Sequence, residues 1–205
     1  MRELPILFNT EMVRAILDDR KTCTRRVIKD AVKENQEINK NGKGEFELYD
    51  ITSRCGIPKG KIYNPPYQPG DILYVRETWH KYTKRVGNGE SCHLAEFYGY
   101  KASIANSEDA NEPWKPSIHM PKEAARIWLK VTDVRVERLQ EMDKTDALKE
   151  GIDPRLCINL SHALTKFKKI WDSTIKKSDL DIYGWKANPW VWVIEFERCE
   201  KLGKE

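Results

Sequence analysis

The chain has 205 residues, of which 40% are apolar and 33% charged, a balance that supports one substantial core. No stretch approaches the roughly 18 uninterrupted apolar residues of a membrane-spanning helix. A net charge of +4, from 36 basic and 32 acidic residues, excludes a polycation that grips nucleic acid by charge alone.

The opening MRELPILFNTEM holds an apolar run shorter than that of a signal peptide, without a small-residue cleavage site. A cytoplasmic location without a membrane partner is therefore expected. Thr10 and Glu11 suit a helix start, and Val13, Ile16 and Leu17 place an apolar stripe on that helix up to Asp19-Arg20. KTCTRRVI follows, rich in β-favouring residues and predicted to be extended.

Residues about 30–68 are polar, then dense in Gly and Pro, and predict a long irregular insertion. Pro69-Gly70-Asp71 is a turn signal that launches the strand ILYVRETW, with Leu73 and Val75 on one face and Ile72, Tyr74 and Arg76 on the other. Residues about 81–113 predict a second irregular insertion, with a short strand at LAEFYGY. RIWLKVTDVRVERL alternates but changes phase between Val131 and Val134, as a bulge or barrel bend would make it do. Asp143 caps a short helix, TDALKE, that stops at Gly151. A longer helix carries Leu160, Leu164, Phe167 and Trp171 on one stripe. PWVWVIEFER closes the pattern as a strand. These elements predict an α+β fold, a small β-barrel with flanking helices, as a single domain over residues 1–205.

The stretch DRKTCTRR, Asp19 to Arg26, concentrates cations at the helix-to-strand junction. Lys21 and Thr24 stand three residues apart, a spacing that can set an amine beside a hydroxyl. Threonine becomes a nucleophile only when a neighbour takes its proton, and lysine can do so when burial or nearby cations lower its pKa. The same residues also fit a structural threonine beside a solvated lysine. Glu77 interrupts an apolar strand face, either lining a cavity or sitting at a rim beside Arg76. Glu150 ends a helix, where a carboxylate opposes the dipole unless solvent or a cation compensates. Trp114, Ser117 and His119, in WKPSIHMP, could stack on and hydrogen-bond a base, or Trp114 could anchor its loop. Five scattered cysteines and four dispersed histidines predict neither a disulfide framework nor a metal site. GxSxG, GxxxxGK[ST] and GxGxxG are all absent.

A helix ending in RKTxTxR, a PGDxLxVRETW strand, TDVRVERLxxM, an AxxEG helix and a final WVIEFER, in that order, resemble the ASCH family of the PUA-like superfamily. The likeness is to its larger phage and prophage members, and it covers the first 28 residues, about 69–80 and about 114–199. It implies a PUA-like mixed barrel that binds RNA or modified nucleobases. Some small bacterial members carry GRKTxTxRD and hydrolyse the acetyl amide of N4-acetylcytidine without metal or other cofactor. Carried across, Lys21 is the base, Thr24 the nucleophile and Glu150 the proton-transfer partner. Arg26 and Arg20 become substrate contacts, and a modified nucleoside, nucleotide or RNA the partner. Asp19 stands where that motif has Gly, and Arg25 where it is apolar. The implied alternatives are a non-catalytic RNA- or DNA-binding module and a ribonuclease using the same basic cleft.

Overall fold

The computed structural model describes residues 1–29, 36–52, 56–103 and 113–201. In chain order its elements are β1 (Glu3–Leu7), α1 (Thr10–Leu17), β2 (Cys23–Val27), β3 (Gln36–Lys40), β4 (Phe46–Asp50), β5 (Ile57–Tyr63) and β6 (Ile72–Arg76). There follow β7 (Trp79–Val86), β8 (His93–Tyr100), β9 (Trp128–Arg138), α2 (Lys144–Lys149), α3 (Leu160–Thr174), α4 (Leu180–Tyr183) and β10 (Trp190–Cys199). The fold is mixed α+β. Two compact units interleave along the chain: unit 1 takes Met1–Asp19, Gly70–Lys130 and Glu197–Glu205, and unit 2 takes Arg20–Pro69 and Val131–Phe196.

In unit 1, β1 runs parallel to β6, from Glu3 opposite Ile72 to Leu7 opposite Arg76, and β6 pairs antiparallel with the start of β9. β1 was not expected, because ELPIL is short, holds a proline and forms only by pairing with β6. Helix α1 begins one residue earlier than expected in its capping. Asn9 Oδ1 accepts from Met12 N at 2.9 Å, so Thr10 is already helical. Val13, Ala15 and Ile16 are its buried residues. Ile72, Trp79, Met120, Ala124, Ala125 and Trp128 form a core cluster of this unit.

The second irregular insertion is corrected in its described part. β7 and β8 pair in unbroken register from Trp79–Tyr100 to Val86–His93. Only the LAEFYGY half was foreseen, because WHKYTKRV mixes charge into its alternation and so lacks a clean apolar face.

In unit 2 the order is β9-β10-β2, with β10 and β2 antiparallel from Val191–Val27 to Glu195–Cys23. One face of that pair, with Val27, Val191 and Val193, packs on Leu139, Met142, Ala147 and the Ala163, Phe167 and Trp171 stripe of α3. Each such fully buried Val or Leu contributes about 1.5–3 kcal/mol. On the other face Trp192 meets Phe46 edge-on, ring centroids 4.8 Å apart. Phe46 belongs to the sheet β3-β4-β5, all antiparallel. That sheet corrects the first irregular insertion. Its segment reads as loop because, among the described residues, only Ile38, Phe46, Leu48 and Tyr63 are buried within many polar ones. Its turn is written locally: Asn41 Oδ1 accepts from the amides of Lys43 and Glu45, and Gly44 takes φ +78°.

The barrel expectation is also corrected, since the described strands form open sheets. The phase change in β9 does not bend a barrel. It falls just past Lys130, where this continuous strand passes from unit 1 into unit 2. Among the described residues no helix is long and apolar enough to cross a membrane.

Candidate functional site

The residues between α1 and β2 meet the end of α2. Thr22 N donates to Lys149 O at 2.9 Å, and Lys21 and Glu150 form an antiparallel bridge. Residues facing each other across such a bridge project to the same side. The bridge thus brings together two side chains 129 positions apart. The Lys21 ammonium donates to Glu150 Oε2 at 2.7 Å, to Glu150 O at 2.9 Å and to Cys23 O at 2.8 Å. Both side chains are buried, at 0% and 6% exposure. The carboxylate that opposes the α2 dipole is therefore compensated by a cation rather than by water.

Glu150 has a second cationic partner in Arg25, which stands where the resembled motif is apolar. Arg25 Nη1 lies 3.3 Å from Glu150 Oε1, and Arg25 Nη2 lies 2.8 Å from Asp146 Oδ2 and 3.3 Å from Glu137 Oε2. Burial works to lower the pKa of Arg25, but Glu150 and its fellow anions outweigh it and hold the guanidinium charged. Glu137 in turn accepts from Arg135 Nε at 2.5 Å, and Arg135 Nη1 also reaches Glu195 at 2.7 Å. The helix spacing contained a signal for this: Asp146 and Glu150 are four residues apart and share a face of α2. Cys23, beside this cluster, has its thiol pushed up to about 12 by burial and by Glu150. It is no thiolate at neutral pH.

Strand alternation sends Cys23, Arg25 and Val27 to the α2 and α3 side and Thr24 and Arg26 to the other. Thr24 pairs with Ile194 and Arg26 with Trp192, on the face where Trp192 meets Phe46. Thr24 is 2% exposed, and among the described residues its hydroxyl makes no hydrogen bond with Lys21 or Glu150. The link between them is the main chain: Lys21 Nζ binds the carbonyl of the Cys23–Thr24 peptide. Burial pulls Arg26 down from its ordinary value, against the opposing influence of Tyr67. Unit 2 also holds a cleft of about 460 Å³ lined by Lys40, Phe46, Tyr63, Asn64 and Gln68 among others. Both strands and loops of the corrected insertion contribute to it.

Arg20 donates to Gly151 O at 2.5 Å and so helps close the same junction. The other four expected residues lie in unit 1. Glu77, 1% exposed, is held by Arg126 through Nε at 2.8 Å and Nη2 at 3.0 Å. Its partner is not Arg76, which donates instead to Met120 O. Trp114 packs against His80 with the rings tilted by 40° and their centroids 4.5 Å apart, a contact of the kind the anchoring reading expects. Ser117 and His119 begin and end a 3₁₀ turn, with His119 exposed. Among the described residues no group of three His, Cys, Asp or Glu side chains is arranged to hold a metal ion.

No family model, no curated protein and no solved structure matches the chain.

Proposed function

We propose that the chain is a PUA-like, ASCH-type amidohydrolase acting on an N-acylated nucleoside or nucleobase of the N4-acylcytidine kind, without a metal. The observation that carries this reading is the buried contact of Lys21 Nζ with Glu150 Oε2 at 2.7 Å, beside the peptide of Thr24. A lysine can act as a base only after losing a proton, and Glu150 is within reach to take it.

The chemistry then balances as follows. A proton passes from Lys21 to Glu150; the Thr24 hydroxyl, which faces the other side of β2 in this structure, turns toward Lys21 when substrate binds, and the free amine of Lys21 takes its proton. Thr24 Oγ1 attacks the acyl carbonyl, and Glu150 returns its proton to the exocyclic nitrogen as the C–N bond breaks. Water hydrolyses the resulting threonine ester. Arg26 is suited to hold the oxyanion or the base on the Thr24 face.

The test is acetate release from N4-acetylcytidine and related N-acyl nucleosides. The wild type should turn over at least one of them, Thr24→Val and Lys21→Met should reduce kcat by about 10²-fold or more, and Thr24→Ser should keep part of it. Wild type that is inert toward every N-acyl nucleoside would sink the reading. Activity surviving in Thr24→Val would leave the hydrolysis standing and remove the threonine nucleophile. One observation favours a binding-only module instead: the acceptors around Lys21 are already protein atoms. That module would bind acylated and free nucleosides alike and release nothing. Cleavage of RNA, also abolished by Lys21→Met, would identify the ribonuclease.

A further inference from the structure

Unit 1 carries a surface that the chemistry of Lys21 does not use. The register of β7 and β8 puts His80, Tyr82 and Lys84 on one face, opposite Gly99, Phe97 and Ala95. Rings run in a row along this face. Trp114 lies 4.5 Å from His80, His80 lies 5.4 Å from Tyr82, and Tyr82 lies 5.7 Å from Phe97 in a stacked geometry.

The inner end of the row is fixed. His80 is 2% exposed, and a Cβ on Gly99 would come within 1.9 Å of its Nε2, so the ring fills the space that glycine leaves. Among the described residues neither ring nitrogen of His80 has a hydrogen-bond partner, so packing alone holds it. The outer end is open, with Tyr82 and Phe97 exposed to 36% and 37%. Alternation normally reserves such a face for a core.

The hairpin and its flanks are cationic. Residues 79–103 hold Lys81, Lys84, Arg85 and Lys101 against Glu90 and Glu96, and Lys81 already pairs with Glu96 at 2.7 Å. Lys115 lies over Trp79, 5.2 Å from its ring centroid. Flat exposed rings flanked by Lys84 and Lys101, which have no ion-pair partner among the described residues, suit an anionic polymer that offers its own ring faces. A duplex hides those faces, and an apolar partner has no use for the cations.

We propose that this face is a stacking platform for single-stranded nucleic acid. Tyr82 and Phe97 take successive bases on their rings, and Lys84, on the same face, and Lys101, at the end of the hairpin, meet the phosphates.

Fluorescence anisotropy of labelled pyrimidine-rich strands of about 15 nucleotides tests this, with RNA, DNA and duplex arms. The full chain should bind both or one of the single strands, bind duplex about tenfold more weakly, and lose affinity as salt rises from about 50 to about 200 mM. Tyr82→Ala and Phe97→Ala should each weaken binding about fivefold or more, while Tyr82→Phe should not. Both sites are exposed enough for the variants to fold, which circular dichroism would verify. Lys21→Ala/Arg26→Ala should leave binding intact, which separates this proposal from the amidohydrolase reading. Absence of single-strand binding at low salt would overturn the proposal. So would affinity unchanged in both alanine variants, or binding lost only in Lys21→Ala/Arg26→Ala. Self-association abolished by Tyr82→Ala, without nucleic-acid binding, would identify a second copy as the occupant and equally overturn it.

Discussion

Arg25 exposes none of its side chain and touches three carboxylates. A buried ion with such partners is costly to break from one side, because the carboxylates left behind then outnumber the cations close to them in the interior. Arg25→Met should therefore destabilise by about 3–5 kcal/mol, read from urea unfolding. A cost below about 1 kcal/mol would mean that Lys21 suffices to compensate Glu150 without Arg25. Asp19 illustrates the opposite sign. It follows α1 at φ +55°, the left-handed region, and among the described residues its carboxylate pairs only with the exposed Arg198, at 3.1 Å. Asp19→Gly should raise stability by about 0.5–1 kcal/mol, since glycine enters that region freely. A lowered midpoint would show the surface ion pair to outweigh the backbone. Cys23 should stay unmodified by iodoacetamide at pH 8 in the native state while exposed Cys92 reacts, as mass spectrometry would show. Here the sequence was partly legible. An arginine flanked at i±2 by Cys23 and Val27 already pointed inward, but which carboxylates would meet it was not written nearby.

At the scale of elements, the helices and the long strands follow from local rules. Asp143 accepts from the amides of Thr145 and Asp146 at 2.7 Å, as a cap before TDALKE should, and the left-handed Gly151, φ +99°, ends that turn. The β7–β8 pair depends on a nonlocal fit instead. Gly99→Ala would drive a methyl into the His80 ring and should cost about 1–3 kcal/mol, with a lowered melting temperature. An unchanged Tm would mean that His80 swings out readily and does not anchor the ring row. β3, β4 and β5 escaped the sequence reading for a physical reason: a sheet that buries four side chains leaves almost no periodic signal. Its Asn41–Gly44 turn was the one local clue.

Across the whole molecule, several carboxylates are held below their ordinary values. Asp50 is held at about 2, first by the Thr52 hydroxyl and amide and then by Lys59. Asp153 is also held at about 2, chiefly by Arg155, and Asp143 is lowered by Thr145 and the Asp146 amide. A depressed folded-state pKa adds stability above the unfolded value near 4 and loses it as pH falls through the folded value. The urea midpoint should therefore decline between about pH 4 and about pH 2. A midpoint that stays level across that window would show these contacts to persist in the unfolded chain.

The sequence by itself determined α1, α2, α3 and the strands β2, β6, β9 and β10, because periodicity and caps report which side of a segment is buried. It also marked Lys21, Thr24 and Glu150, through motif spacing and resemblance, as residues to watch. Only the tertiary structure decided that Lys21 and Glu150 touch across one bridge, that Arg25 completes their charge cluster and that Thr24 faces the opposite side of β2. Periodicity tells a face that it is covered, and not by what. The covering partner is chosen by many weak long-range contacts, each too small to leave a pattern in a single stretch of chain.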